Sequence, residues 1–249
     1  LFAMRGYPGG LSAEQGIDPA KVDAILIFVA EPAARHVFRI DNLRTEGTSP
    51  AGALPESVDK LFPLIDTFGQ YAHKDWPRKT HAEAALAEFA AEERADLAAH
   101  PGPADWNEYG GWAAGPQLEA TGHFYPTRHQ GRWWLVDPAG RLFWSHGIDC
   151  VHPNNATTPI TDREHWFADL PERDSPMGVF FGRGSWAPHG YYQGRQYETF
   201  NFTAANLLRK YGPDWQAIHA QRCHQRLRSW AMNTIANWSD EEIYLQKRT

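Results

Sequence analysis

The sequence predicts a chain of two fold classes in series: an all-β stretch that closes a β-sandwich, followed by an α/β stretch that opens a parallel-strand unit. Three observations carry this expectation. Short apolar runs separated by turn formers fill the chain before residue 46, a Gly/Pro/Ser-rich stretch occupies 45–52, and beyond residue 120 the order is strand, long helical excursion, strand. Parallel strands need a crossover of a dozen or more residues, which that excursion supplies.

In the first stretch, Asp18-Pro19 opens a turn, Ile25-Leu26-Ile27-Phe28-Val29 reads as a buried strand, and Glu31-Pro32 breaks it. His36-Val37-Phe38-Arg39-Ile40 then alternates before Asp41-Asn42. The run Thr45-Glu46-Gly47-Thr48-Ser49-Pro50-Ala51-Gly52 is the linker candidate. Thr80 with Glu83 three residues on has the spacing of a capping box, and the Ala-rich sequence after it predicts a surface helix up to Ala99, stopped by His100-Pro101-Gly102-Pro103. Trp133-Trp134-Leu135-Val136 should pair with Leu142-Phe143-Trp144 as a hairpin across Asp137-Pro138-Ala139-Gly140. The apolar run 143–151 reads as one strand buried on both faces. Thr203 is expected to cap a helix that ends at Gly212, Asp214 a second helix reaching about Trp230, and residues 233–238 form the next strand. The resulting boundaries are 1–46 for the β-sandwich part, 47–120 for a linker carrying the helix, and 121–249 for the α/β part.

Composition narrows the function classes. A formal net charge of −6, with no run of five like charges, offers no field for phosphate neutralisation, so nucleic acid is not the expected partner. The longest apolar run, 24–30, falls far short of the roughly 20 residues of a membrane-spanning helix, so no membrane insertion is expected. Two cysteines in unrelated segments, Cys150 and Cys223, form neither a disulfide framework nor a CxxC pair and read as small buried hydrophobes. The chain starts Leu1-Phe2-Ala3 and stops on Lys247-Arg248-Thr249, which reads as a piece of a longer protein with any export signal upstream. Eleven Trp in 249 residues is the unusual number. Indole needs its face packed and its N–H met, so this density fits a protein that uses flat apolar faces, and sugar rings stack on such faces while their hydroxyls bond to Asn, Asp and His.

Functional residues of a parallel α/β barrel gather at the carboxyl ends of its strands. Those ends offer Ser145-His146-Gly147-Ile148-Asp149-Cys150-Val151-His152-Pro153-Asn154 and Asn237-Trp238-Ser239-Asp240. His146, Asp149 and His152 resemble a metal ligand set, but alternation on an extended strand puts Asp149 on the face opposite His146 and His152, so no metal or other cofactor is expected. Glycoside hydrolysis normally needs two carboxyl groups across the scissile bond, and no convincing pair is present. Glu241 and Glu242 begin a helix, and Glu198 lies in an aromatic loop. Neither a GxSxG elbow nor a phosphate loop occurs, and Gly182-Arg183-Gly184-Ser185 lacks a strand-to-helix context.

The stretch from Gly131 to Val151, Gly-Arg-Trp-Trp-Leu-Val-Asp-Pro-Ala-Gly-Arg-Leu-Phe-Trp-Ser-His-Gly-Ile-Asp-Cys-Val, resembles the start of the catalytic barrel in glycoside hydrolase family 50 and related bacterial agarases. Phe68-Gly69-Gln70-Tyr71-Ala72-His73-Lys74-Asp75-Trp76-Pro77 and Asn107-Glu108-Tyr109-Gly110-Gly111-Trp112 are similar to the segment joining accessory domain and barrel in those proteins. Phe38-Arg39-Ile40-Asp41-Asn42-Leu43 is similar to the last strand of a galactose-binding-like sandwich, and 233–240 resembles the second barrel strand. The resemblance implies the end of a jelly-roll β-sandwich followed by the first part of a (β/α)8 TIM barrel. It also implies a retaining two-glutamate hydrolase of β-linked galactose in agarose-type galactans, acting extracellularly or in the periplasm. In the family both catalytic Glu follow later barrel strands, so none is expected in this chain. What carries over is substrate contact: His146, Asp149, Asn237 and Trp238 at strand ends, with Asn154, Trp186, Tyr197 and Asn201 from loops. The partner implied is a galactan polysaccharide or oligosaccharide. A non-catalytic carbohydrate-binding protein is the alternative, and the long aromatic stretch 180–197 is expected to wall off one end of a groove.

Overall fold

The structure is a computed structural model, and it describes residues 58–185 and 190–246 together with the isolated positions Ala34 and Val37. The expected sandwich strands at 25–29 and 36–40, the linker 45–52 and Trp186 lie outside the described residues. Contacts divide the chain into units 1–60 and 61–249.

Helix α1, Glu83–Ala99, starts later than the capping-box spacing predicts: Ala82 stands at its N-cap without a side-chain bond. Thr80 is engaged elsewhere, its N–H donating to Gln70 Oε1 at 2.9 Å while its carbonyl accepts from Gln70 Nε2 at 2.8 Å. Leu86 and Ala90 form the buried stripe of α1. Glu93 on the same side receives Lys210 Nζ at 3.1 Å and also pairs with Arg226 and Tyr211, tying α1 to the two helices that follow much later.

Strands β1 (Tyr125–His129), β2 (Arg132–Val136) and β3 (Leu142–Phe143) form an antiparallel meander in that order. The hairpin turn is as the sequence predicts, with Gly140 at φ +82°, a left-handed value that suits glycine. Asp137, fully buried, holds the turn by accepting from the Arg141 N–H at 2.9 Å. The predicted continuous strand 143–151 is instead two pieces. β3 ends in the meander, and after a step over Trp144-Ser145-His146 the chain enters β4, Gly147–Ile148, which pairs in parallel with β8, Thr234–Ile235. Gly147 and Ile148 are exposed rather than buried on both faces. The ladder extends past these two-residue strands, because the Cys150 N–H donates to the Asn237 carbonyl at 3.1 Å.

Between β4 and β8 the excursion is more ordered than its aromatic, Gly-containing sequence suggests. β5 (Thr157–Pro159), β6 (Phe181–Gly184) and β7 (Tyr197–Asn201) make an antiparallel sheet ordered β5-β7-β6. The segments read as loops around Gly182 and Glu198 are therefore strands. Phe200 is fully buried on this sheet and meets Ile160, Phe167, Phe202 and Ala205; each of the Phe and Ile side chains contributes about 1.5–3 kcal/mol through burial. Helix α2, Phe202–Tyr211, is capped by Asn201, whose side chain accepts from the Ala204 N–H. Thr203, the predicted cap, instead accepts from the Ala156 N–H at 2.8 Å. Gly212 ends α2 at φ +76° as expected. Helix α3, Trp215–Ser229, follows Asp214 and lays Ala220 and Cys223 against Val151, Ile235 and Ile243. The β4, α3, β8 arrangement is thus a parallel βαβ-type unit. The short helix α4, Glu241–Tyr244, starts at Asp240, whose carboxylate accepts from the Glu242 N–H at 3.0 Å.

Candidate functional site

The carboxyl ends of β4 and β8 bring Asp149, Asn237 and Trp238 together, as the strand-end argument predicts. Asp149 and Asn237 are exposed, and Trp238 presents its ring with 75% of its surface open. Cys150 and Trp238 both adopt left-handed backbone, φ +56° and +57°, joined through the Cys150 to Asn237 bond. Such conformations at non-glycine residues cost about 1–3 kcal/mol and cluster at functional sites. Cys150 is half-buried, not the fully buried hydrophobe expected, because it lies at this bend. Just behind, a cleft of about 500 Å³ between α3 and α4 is lined by Trp215, His219, Asp240 and Glu242. Burial holds the His219 imidazole below its usual range while Asp240 opposes that shift. Burial likewise pushes the neighbouring Cys223 thiol up to about 11, so it is a buried thiol and not a nucleophile.

His146 lies elsewhere. It precedes β4 and so sits at the amino end of the parallel pair. Its N–H donates to Asn233 Oδ1 at 2.9 Å, its carbonyl accepts from the Asn233 N–H at 2.8 Å, and its ring Nδ1 lies 3.2 Å from the Ala231 carbonyl. Among the described residues no three His, Cys, Asp or Glu side chains gather as metal ligands.

Of the predicted loop contacts within the described residues, Tyr197 and Asn201 belong to the side sheet and Asn154 to a turn before it. Asn201 spends its carbonyl oxygen on the α2 cap and its amide on the Pro153 carbonyl at 3.2 Å. Tyr197 on β7 packs its ring 4.7 Å from that of Tyr192. Asn154 is exposed in a turn, its carbonyl accepting from the Thr157 N–H at 3.1 Å. Glu198 is not a lone loop carboxylate: Arg173 donates to it at 2.6 Å.

Sequence reasoning missed a third place. A groove of about 350 Å³ at the amino ends of β4 and β8 is lined by Trp106, Trp112, Trp134 and Trp144 beside Asp105 and His146. Trp134 and Trp144 meet edge to face with centroids 6.0 Å apart. The Trp count pointed to such a surface, but Asn107–Trp112 was read only as a joining segment.

No protein-family model matches the chain. Among curated proteins, Beta-agarase B of Vibrio sp. (strain JT0107) is 28% identical over 94% of this chain and 26% of its own length. Beta-agarase A of the same strain is 24% identical over 98% of this chain and 25% of its own length. Among solved structures, PfGH50B matches with a TM-score of 0.68 at 33% identity, over 76% of this chain and 29% of that one. The agarase AgWH50C matches at 0.67 and 30%, over 76% and 29%. A structure described as an exo-beta-agarase matches at 0.70 and 28%, over 79% and 31%. The chain therefore spans about a quarter of the length of the curated relatives it matches. Its homologues are beta-agarases and its structural neighbours are agarases of glycoside hydrolase family 50, so the chain is agarase-like.

Proposed function

We propose that the chain is part of a glycoside hydrolase that cleaves β-linked galactose in agarose-type galactans, with β4 and β8 as the first two strands of a (β/α)8 catalytic barrel. The β-sandwich end assigned to 1–46 would belong to a jelly-roll accessory domain. The observation that carries the reading is the exposed Trp238 ring at the carboxyl end of β8, adjoining Asp149 and Asn237 where the strained Cys150 backbone turns. In this reading the indole supports the apolar face of a galactose ring while Asp149 and Asn237 bond its hydroxyls. Asn201 is left out of these contacts because its amide is held in the α2 cap and on the Pro153 carbonyl.

Hydrolysis by retention requires a carboxylic acid to protonate the leaving oxygen and a carboxylate nucleophile about 5–5.5 Å away. This chain supplies platform and positioning groups, and the carboxyl pair would come from other parts of the protein. A polymer of this size cannot enter the cytoplasm intact, which supports an extracellular or periplasmic reaction. No cofactor or metal enters the scheme.

The test is reducing-end release from agarose by the full-length protein, with the anomeric configuration of the first product read by NMR. Release of β-anomer products, and a drop of about tenfold in kcat/KM on Trp238→Ala, are expected from loss of one stacking contact near the transition state. Retention of agarose without any bond cleavage would replace the hydrolase reading with that of a carbohydrate-binding protein.

A further inference from the structure

We propose that the groove at the amino ends of β4 and β8 is a second galactan-binding site, which takes a neutral pyranose segment on Trp112 and Trp144. It lies at the end of the parallel pair opposite Asp149, Asn237 and Trp238. The ligand class rests on the galactan reading above; the existence of the site rests on its own geometry.

The groove is held rigidly. Trp112 keeps 46% of its surface exposed, yet its backbone is fixed: its N–H donates to the Leu142 carbonyl at 2.8 Å, and Ala113 N–H donates to the Asp105 carbonyl at 2.7 Å. The indole lies on Gly115, where an added Cβ would come within 2.6 Å of Cδ2. The loop is fastened from beneath by fully buried Asp137, which accepts from Asn107 Nδ2 at 2.5 Å, and by Arg141, which donates to the Gly115 carbonyl at 2.6 Å. Asn233 fastens it from the side, its amide donating to the carbonyls of Gly110 and Trp144 at 3.1 and 3.0 Å. An exposed aromatic ring on a loop so constrained is preorganised, so little conformational entropy is lost when a ligand stacks on it.

The groove also complements a sugar chemically. The groove joins indole faces to two hydrogen-bond acceptors with spare capacity. Asp105 is exposed and its carboxylate has no partner among the described residues. The His146 Nδ1–H donates to the Ala231 carbonyl, which in the neutral ring leaves Nε2 as an acceptor. Sugar hydroxyls donate to both while a pyranose face covers indole. Among the described residues lining the groove there is no Lys or Arg, and Arg228 beside it is engaged over the Trp106 ring at 5.8 Å and on the Trp106 carbonyl, so the lining itself suits a neutral galactan better than a sulfated one. The volume of about 350 Å³ falls at the small end of the ~300–1,000 Å³ range of ligand sites.

The experiment is electrophoresis of the full-length protein through gels with and without agarose, alongside Trp112→Ala, Trp144→Ala and, as control, Trp133→Ala. Trp133 is 67% exposed on β2, does not line the groove and stacks under Arg128. Each groove substitution should weaken retention about three- to tenfold, as one lost aromatic contact predicts, with the control within about twofold and with weaker retention of wild type by sulfated galactan. Trp144→Ala removes a 68% exposed ring and leaves the loop bonds in place, so it reports even where Trp112→Ala disturbs the fold. Retention unchanged in both groove variants, equal loss in the control, or Trp rings already shielded from acrylamide by other parts of the free protein would overturn the site. Reducing-end release on the same preparations separates the two readings. A protein that cleaves no galactan yet loses retention on Trp144→Ala keeps the groove and sinks the hydrolase reading, whereas cleavage with retention untouched by either substitution sinks the groove alone.

Discussion

Replacing Asp137 by Ala should destabilise the protein by about 2–5 kcal/mol, more than any exposed carboxylate would. The figure follows from its surroundings. Asp137 is fully buried, and its two oxygens accept from Asn107 Nδ2 at 2.5 Å and Arg141 N–H at 2.9 Å. Loss of the carboxylate strands two buried donors, each costing about 1–3 kcal/mol, while release from burying a charge offsets part of that. Asp137→Asn is a sharper probe. Asn107 Oδ1 already accepts from the N–H groups of Tyr109 and Gly111, both at 2.9 Å, so its amide cannot flip. The new Asn amide must either face Nδ2 donor to donor or abandon Arg141, at about 1–3 kcal/mol. Thermal unfolding followed by near-UV circular dichroism at the Trp bands should show a midpoint lowered by roughly 4–20 °C for Ala and less for Asn, at about 2–4 °C per kcal/mol for a unit of this size. A shift under about 2 °C for Asp137→Ala, or a larger loss for Asn than for Ala, would refute the account of the buried turn.

Three further outcomes follow from the same contacts. Gly147→Ala should abolish folding of the parallel pair, because a Cβ there would lie 2.8 Å from Thr234 Cβ and overlap its backbone, and insoluble expression or loss of the Trp spectrum would register it. Asn201→Ala should cost about 0.5–2 kcal/mol through the lost α2 cap and leave galactan KM alone; a raised KM at unchanged stability would restore it as a substrate contact. His219 has a folded pKa below its ordinary 6.5, so the unfolded chain binds the proton first. Stability is therefore full above pH 6.5 and falls as pH drops through the folded value, and His219→Gln should flatten that acid limb in urea titrations.

How far the sequence revealed this structure depends on the range of each contact. The β2/β3 hairpin, the Gly212 stop of α2 and the span of α3 are encoded within a few residues and emerged as expected. Thr80 misled because Gln70, ten residues away, claims its backbone, a competitor no capping pattern contains. The β5-β7-β6 sheet escaped because β5 and β7 lie about 40 residues apart and β6 is half glycine, a poor strand former. His146 was placed at the wrong end of its strand because the run 143–151 concealed the step between two sheets. The Trp groove was illegible for the same reason: Trp106, Trp112, Trp134 and Trp144 come from three segments joined by long-range bonds such as those of Asn233, Asp137 and Arg141.

The clasp at Glu93 also sets an order of events. Its partners Lys210 and Tyr211 lie 117 and 118 residues further along, and Asn206 reaches back 138 residues to the Phe68 carbonyl. At about 5–20 residues per second a ribosome needs on the order of ten seconds to make the intervening chain. During that interval α1 carries a carboxylate and an apolar stripe with nothing to dock on, and closing loops of this length is slow. The first third of the unit is thus an unfinished surface while it is being made, and its place is fixed only when α2 and α3 arrive to claim it.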